Sequence, residues 1–263
     1  MMDLIIIGLT GLFGAFLTFF CGFGLGTIML PVMALFFPLH IAIIATAFVH
    51  FGNNLFKVGI LFKGINLNLL LRFGIPAIVF SLLGAWLMEK TSGHDISLIA
   101  YQIGGKSFDI TLMSLLVGMI IILFAFIELF DLLKVKSISE NSTNLIGGAL
   151  SGFFGGFSGH QGALRSAFLV KGTVDKTLFL AVSACIGLCI DAARIIVYSN
   201  YEMKSILLLG NKMDLLVVAV ICALLGSYLG SKFLKKQTIS SLKKAVGVGL
   251  LLLGVLILSG LIH

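Results

Sequence analysis

The chain consists mainly of long apolar runs separated by short polar stretches. One membrane-spanning helix needs about 20 apolar residues, and several runs reach or exceed that length. The pattern predicts about eight hydrophobic segments, at 4–37, 40–62, 68–88, 110–130, 143–171, 176–199, 212–234 and 241–262. A polar loop is predicted at 89–109 and a linker at 131–142. The expected fold is therefore an all-α integral membrane protein.

The first segment of each half is longer than one simple span and is interrupted by glycines. The interruptions are Gly22, Gly24 and Gly26 in the first half, and Gly156, Gly159 and Gly162 in the second. Clustered glycines break a helix and leave backbone N–H and C=O groups exposed. Each unit should therefore be a half-helix, a break and a second half-helix.

The two broken units resemble each other in sequence. At an offset of 134 residues, six positions are identical, namely Gly14, Ala15, Phe19, Phe20, Gly22 and Phe23 with Gly148, Ala149, Phe153, Phe154, Gly156 and Phe157. The helices that follow also align, at an offset of 137: Thr46, His50, Asn54 and Lys57 meet Ser183, Gly187, Asp191 and Arg194. We expect one membrane domain, 1–263, built from internal repeats 1–135 and 140–263.

Composition supports a chain that lies mostly in lipid. Hydrophobic residues make up 59% and charged residues 11% of the sequence, whereas a soluble domain carries about 25% charged residues. The N-terminus has no basic region, so it reads as a first membrane segment and not as a signal peptide. The net charge of +7 is spread over short loops, which indicates topology and not nucleic-acid binding. No spacing suggests a metal site or a cofactor.

Loop charges favour one of two topologies. If both broken units cross the bilayer, the better orientation places nine loop Lys and Arg residues inside and six outside. If both units are re-entrant, the division becomes eleven inside and four outside, which fits the positive-inside rule better. Each half then crosses three times, so the second repeat is inverted relative to the first. Both termini are expected outside the cytoplasm, in a cell membrane.

Two segments carry a stripe of polar residues. His50, Asn53 or Asn54, and Lys57 share one face of the helix at 40–62, and the counterpart helix carries Asp191 and Arg194. Polar groups inside a membrane usually face a cavity or a partner. Two alternatives remain open: Lys57 and Arg194 could snorkel to the interface, and Asp191 could simply neutralise Arg194.

The second glycine break is followed by polar side chains, His160, Gln161 and Arg165. The N-terminus of a half-helix attracts anions through its unpaired N–H groups and its positive dipole end. Tight packing by small residues is the alternative explanation for the glycines. The predicted substrate-binding side chains are Arg165, His160, Gln161, Arg194, Lys57, Asn53, Asn54 and His50, with backbone groups from the six glycines named above. Asp191 is expected to orient Arg194 or to carry a proton, and His50 and His160 are further candidates for the proton.

These motifs resemble the sulfite exporter TauE/SafE family of membrane transporters. The resemblance covers nearly the whole chain and rests on the two glycine passages, 22–31 and 155–162, each followed by a polar-striped helix. Leu25 interrupts the family's usual glycine run, and Arg165 and Ser166 stand where the family commonly has a proline. The resemblance implies transport of small sulfur-containing anions such as sulfite and organosulfonates.

The expected function is therefore secondary transport of a small anion, a sulfur oxyanion or organosulfonate, by alternating access. A passive anion channel is the main alternative. An intramembrane enzyme is the weaker one, because no nucleophile or metal cluster can be argued from spacing. The expected partners are the anion and the lipid bilayer, with no nucleic acid, and a homo-oligomer is left open.

Overall fold

The computed structural model describes residues 1–21, 24–92, 96–130, 140–169, 176–201, 212–232 and 240–262. The first half contains α1 (Met2–Cys21), α2 (Leu25–Met33), α3 (Leu39–Leu61), a short 3₁₀ turn (Phe62–Gly64), α4 (Leu67–Ser92), β1 (Ser97–Ile103), β2 (Lys106–Thr111) and α5 (Leu112–Phe130). The second half contains α6 (Glu140–Ser158), α7 (Gly162–Leu169), α8 (Lys176–Tyr201), α9 (Met213–Lys232) and α10 (Ser240–Leu258). Most of the predicted linker, at 131–139, lies outside the described residues.

Several helices are suited to a bilayer. Within the described residues, five helices are long and apolar enough to span a membrane, namely α3, α4, α5, α8 and α9. Each corresponds to one of the predicted hydrophobic segments. Shorter apolar stretches occur in α1 and α10. The predicted all-α, multi-pass membrane protein is confirmed.

The predicted polar loop at 89–109 is partly structured. Helix α4 continues to Ser92, and the chain then forms an antiparallel hairpin in which Tyr101 pairs with Phe108. At its tip, Gly104 and Gly105 have φ values of 60° and 79°. This two-glycine turn between β-branched and aromatic residues is a recognisable hairpin signal. The polar residues around this turn led instead to the prediction of a loop.

Both broken units fold back on themselves. A Cβ atom on Gly14 of α1 would lie 3.5 Å from Leu25 Cα at the start of α2. In the second unit, the Ser151 hydroxyl of α6 donates to the Gln161 carbonyl at 3.0 Å. Gly24 and Gly159, near the two breaks, have φ values of 141° and 82°, which side-chain-bearing residues rarely adopt. The glycines therefore produce the predicted breaks and allow the short helices to return along the long ones.

Close helix contacts bring the two halves together. Helix α1 packs against α9, α4 against α6, α5 against α10, and α3 against α8. Cβ atoms on Gly152 and Gly156 would lie 2.1 Å from the carbonyl oxygens of Ala77 and Ser81 in α4. Small residues let backbones approach this closely in membrane proteins. The α3–α8 contact is central to the site, because it brings the two polar stripes face to face.

Candidate functional site

The polar stripes of α3 and α8 meet at Asp191, which is fully buried. One carboxylate oxygen lies 2.6 Å from His50 Nδ1 and accepts a hydrogen bond from Asn54 Nδ2 at 2.9 Å. The other accepts from Gln161 Nε2 at 3.0 Å and from Arg194 Nε and Nη2 at 3.1 and 2.8 Å. A buried carboxylate requires compensation of this kind. Asp191 is therefore the centre of a network that joins α3, α8 and the second break.

Arg194 points to the end of α6 and has no exposed surface. Its Nη1 donates to the Gly155 carbonyl at 3.4 Å, and the Tyr198 hydroxyl donates to the Gly156 carbonyl at 2.5 Å. These donors satisfy carbonyl groups in the last turn of α6, where a cation also complements the helix dipole. Arg194 therefore does not snorkel to the interface; it forms a buried ion pair with Asp191.

A small cavity that is partly open to the outside lies beside this network. Two basic side chains line it, Lys57 from α3 and Arg165 from α7. Hydroxyl groups of Thr18, Thr27 and Ser183 contribute further to its wall. The cavity therefore combines positive charge with neutral hydrogen-bonding groups.

Lys57 is held inside the protein and is only 8% exposed. Its Nζ donates to the Thr18 hydroxyl. The Asn53 amide also accepts from Lys57 at 3.3 Å when its nitrogen faces the Ser227 hydroxyl and the Ala223 carbonyl. Because its ammonium group turns inward to these neutral partners, Lys57 does not snorkel to the interface.

Arg165, on α7, is fixed in the wall of the cavity by two hydrogen bonds. Its Nε donates to the Ser183 hydroxyl at 2.7 Å, and its Nη1 donates to Gln161 Oε1 at 3.0 Å. A guanidinium group carries five donors, so these two bonds leave three for a ligand. Gln161 also donates to Asp191, and the buried carboxylate therefore helps to orient the cavity arginine.

Both glycine breaks border the cavity. Gly24 and Gly26 line it at the start of α2, and Gly159 and Gly162 line it at the start of α7. A Cβ on Gly26 would lie 3.2 Å from the Gly159 carbonyl oxygen, so the two breaks are in contact. The first N–H groups of a helix have no acceptor within that helix. Two helix N-termini thus present donors and positive dipole ends to one space.

Comparison with known protein families agrees with this arrangement. A model of the family described as sulfite exporter TauE/SafE matches residues 7–257. The chain belongs to the TauE/SafE family. Membership implies a membrane transporter of sulfur-containing anions. Comparisons with curated proteins and with solved structures gave no match.

The structure of this TauE/SafE protein separates the predicted residues into two groups. His50, Asn54, Lys57 and Arg165 line the cavity, together with Gly24, Gly26, Gly159 and Gly162. The other predicted residues do not line the cavity, namely Asn53, His160, Gln161, Asp191, Arg194 and Gly156. Gly22 is outside the described residues. Substrate contact by the first group stays a prediction.

Two of the predicted ligands have local structural contacts instead. His160 is 1% exposed; its Nδ1 lies 3.1 Å from the Ser158 hydroxyl, and its ring stacks on Phe124 at 5.6 Å. Gly156 lies within α6 and packs against Ser81 of α4. Sequence proximity to the break made both residues appear to belong to the cavity.

The cavity also contains hydroxyl groups that were not among the predicted ligands. Thr18 was overlooked, although it is an isolated polar residue one turn before the Gly22 break. Ser183 was recognised as part of the α8 stripe and as the repeat counterpart of Thr46, but it was not among the predicted ligands. Its position in the α8 stripe, two turns before Asp191, was the available signal.

Proposed function

We propose that the protein is a secondary transporter of a small sulfur-containing anion, a sulfur oxyanion or organosulfonate, which binds in this cavity. One observation carries the proposal: Lys57, Arg165 and the N-termini of α2 and α7 all line the same cavity. The described residues that line it include no carboxylate. The nearby Asp191 is paired with Arg194, so the cavity retains an excess of positive charge.

The side-chain chemistry suits an anion with several oxygen atoms. The planar donor fork of Arg165 matches paired oxygens on a sulfonate or sulfur oxyanion. Lys57 supplies a point charge, and the hydroxyls of Thr18, Thr27 and Ser183 supply short-range donors. An anion loses its hydration shell on entering, and these groups together replace it.

We further propose that transport uses alternating access. The two cations are 8% and 3% exposed, so a bound anion would be enclosed and not lie in a wide pore. The helix packing supports the proposed repeats, 1–135 and 140–263, within one domain: α1 lies on α9 as α6 lies on α4. A movement of one broken unit against the other would then open the cavity to alternate sides.

The folded-back shape of both units supports the re-entrant topology, with both termini outside the cytoplasm of a cell membrane. A single cysteine at position 139, which lies outside the described residues, tests it. Under the re-entrant arrangement an impermeant thiol reagent labels this cysteine only from the cytoplasmic side. Labelling only from outside would contradict the arrangement.

The proposed function is tested by counter-exchange in proteoliposomes. Purified protein is reconstituted and offered labelled sulfite, thiosulfate, isethionate and a carboxylate control. We expect saturable uptake of a sulfur anion that is accelerated by unlabelled anion on the opposite side. Flux that is insensitive to the opposite side would indicate a channel, and flux restricted to the carboxylate would contradict the proposed substrate class.

A further inference from the structure

His50 lies at the boundary between the cavity and the buried ion-pair network. Its Nδ1 is 2.6 Å from Asp191 Oδ2, and because an ionised carboxylate only accepts hydrogen bonds we assign the proton of this contact to Nδ1. The other edge of the ring faces the first break: a Cβ on Gly26 would lie 3.5 Å from His50 Cδ2 and 3.8 Å from Nε2. Both residues line the cavity. The ring therefore connects Asp191 on one side with the anion space on the other.

We propose that His50 carries one proton with each transported anion, so that transport is anion–proton symport; this rests on the proposed function. On the loading side, Nε2 takes a proton from water while Asp191 holds the Nδ1 proton. On the opposite side, Nε2 returns that proton to water as the anion leaves. The anion is unchanged, and no covalent bond in it forms or breaks.

The charges around His50 explain why proton and anion would bind together. Asp191 and Arg194 face it from α8, Arg165 from α7, and Lys57 lies farther along α3; Gly26 of α2 and Gln161 beside α7 are uncharged. The charged groups around His50 are therefore three cations and one carboxylate. An added proton raises this positive excess, and a bound anion offsets it. By linkage, each ligand then favours binding of the other to the same extent.

The two other titratable candidates are less suited to this role. His160 does not line the cavity and is enclosed by Ser158 and Phe124. Asp191 is surrounded by donors from His50, Asn54, Gln161 and Arg194, and it does not line the cavity either. Asp191 therefore positions His50, and His50 is the group that both the proton and the anion can reach.

The experiment measures protons and anions in the same proteoliposomes. Thiosulfate and isethionate are the probes, because their own charge does not change near neutral pH. The membrane potential is held at zero with potassium and valinomycin, and an internal pH dye reports proton entry. For the wild-type protein we expect a ratio of about one proton per anion. His50→Gln should reduce this ratio at least tenfold relative to its remaining anion flux, as glutamine cannot titrate.

His160→Gln is the matched control, since it removes the neighbouring buried imidazole that does not face the cavity. Its ratio should equal the wild-type ratio. Wild-type anion flux without proton entry would overturn symport and leave the transporter proposal standing. An unchanged ratio in His50→Gln would overturn the role of His50. If His50→Gln does not insert into the membrane, the wild-type ratio still decides whether transport is symport, and a reduced ratio in His160→Gln would overturn the assignment of the proton to His50. Absence of flux for both probes, and for sulfite in the counter-exchange experiment, would contradict the symport and the proposed function together.

Discussion

Asp191 and Arg194 form an ion pair with no exposed surface, in which Nε and Nη2 of the arginine donate to the same carboxylate oxygen at 3.1 and 2.8 Å. The pair performs two tasks. It leaves the second carboxylate oxygen for His50 and Asn54, and it directs the remaining guanidinium nitrogen to the Gly155 carbonyl. The cavity and the end of α6 are therefore held by one buried pair.

Arg194→Met should destabilise the protein by about 3–5 kcal/mol, because it leaves a buried carboxylate without its cation. Adding Asp191→Asn should recover part of this loss, because the uncompensated charge is removed. Unfolding in detergent, followed by intrinsic fluorescence or by aggregation, measures both effects. Arg72→Met, at an exposed position of α4, is the control and should change stability by less than about 0.5 kcal/mol. A double variant less stable than Arg194→Met would contradict the interpretation.

Arg165→Lys should weaken binding of the sulfur anion by about 10- to 100-fold, the equivalent of one lost charged hydrogen bond of about 1.5–3 kcal/mol. Lysine keeps the charge but cannot donate to Ser183, Gln161 and a ligand with the same fixed geometry. The concentration dependence of proteoliposome uptake gives the effect as a higher KM. Lys90→Arg, at an exposed end of α4, is the control for a conservative basic exchange. An unchanged KM in Arg165→Lys would exclude direct contact through the guanidinium fork.

Thr18→Val should raise KM by about 2- to 10-fold, which corresponds to one neutral hydrogen bond of about 0.5–1.5 kcal/mol. The substitution preserves shape but removes the hydroxyl that accepts from Lys57, so the ammonium group loses its orientation. Thr10→Val lies on the same helix, where the Thr10 hydroxyl donates to the Ile6 carbonyl of its own helix, and should leave KM unchanged. Equal effects of the two substitutions would indicate a general disturbance of α1.

Gly152→Ala should destabilise the α4–α6 contact by about 1–3 kcal/mol through overpacking. The added methyl group would lie 2.1 Å from the Ala77 carbonyl oxygen, which belongs to backbone and cannot easily move. Gly59→Ala in α3 is the matched control, since beyond the backbone of α3 itself no atom of the described residues lies within 4 Å of the new methyl group. That variant should be neutral or gain about 0.5–1 kcal/mol from reduced backbone freedom. Similar thermal stability of both variants would contradict the close packing.

Much of this architecture is visible in the sequence because polar residues and glycine clusters stand out in apolar segments. His50, Asn54 and Lys57 recur at helical spacing, which identifies one face of α3. The breaks are equally visible because glycine and proline interrupt otherwise continuous spans. The hairpin at Gly104 and Gly105 was less apparent, because a turn signal inside a polar stretch competes with the expectation of an irregular loop.

The different positions of Lys57 and Arg194 could not be predicted from their alignment in the two repeats. Arg194 has Asp191 one turn earlier on the same helix, and this carboxylate binds it beside α6. The residue that aligns with Asp191 in the first repeat is Asn54, which is neutral. Lys57 therefore has no carboxylate at the equivalent place on its own helix and extends to the cavity and Thr18. One difference between the repeats thus gives two matching cations different surroundings.

Equilibrium binding to purified protein tests the central claim that a sulfur anion binds between Lys57 and Arg165. Labelled sulfite and thiosulfate are titrated onto the wild-type protein, Lys57→Gln, Arg165→Gln and the exposed control Arg72→Gln. The account predicts saturable binding of at least one anion, weakened at least tenfold by either cavity substitution, the loss of about 1.4 kcal/mol or more, and unaffected by Arg72→Gln. Saturable binding that both cavity variants retain at wild-type affinity would place the anion elsewhere and contradict the account.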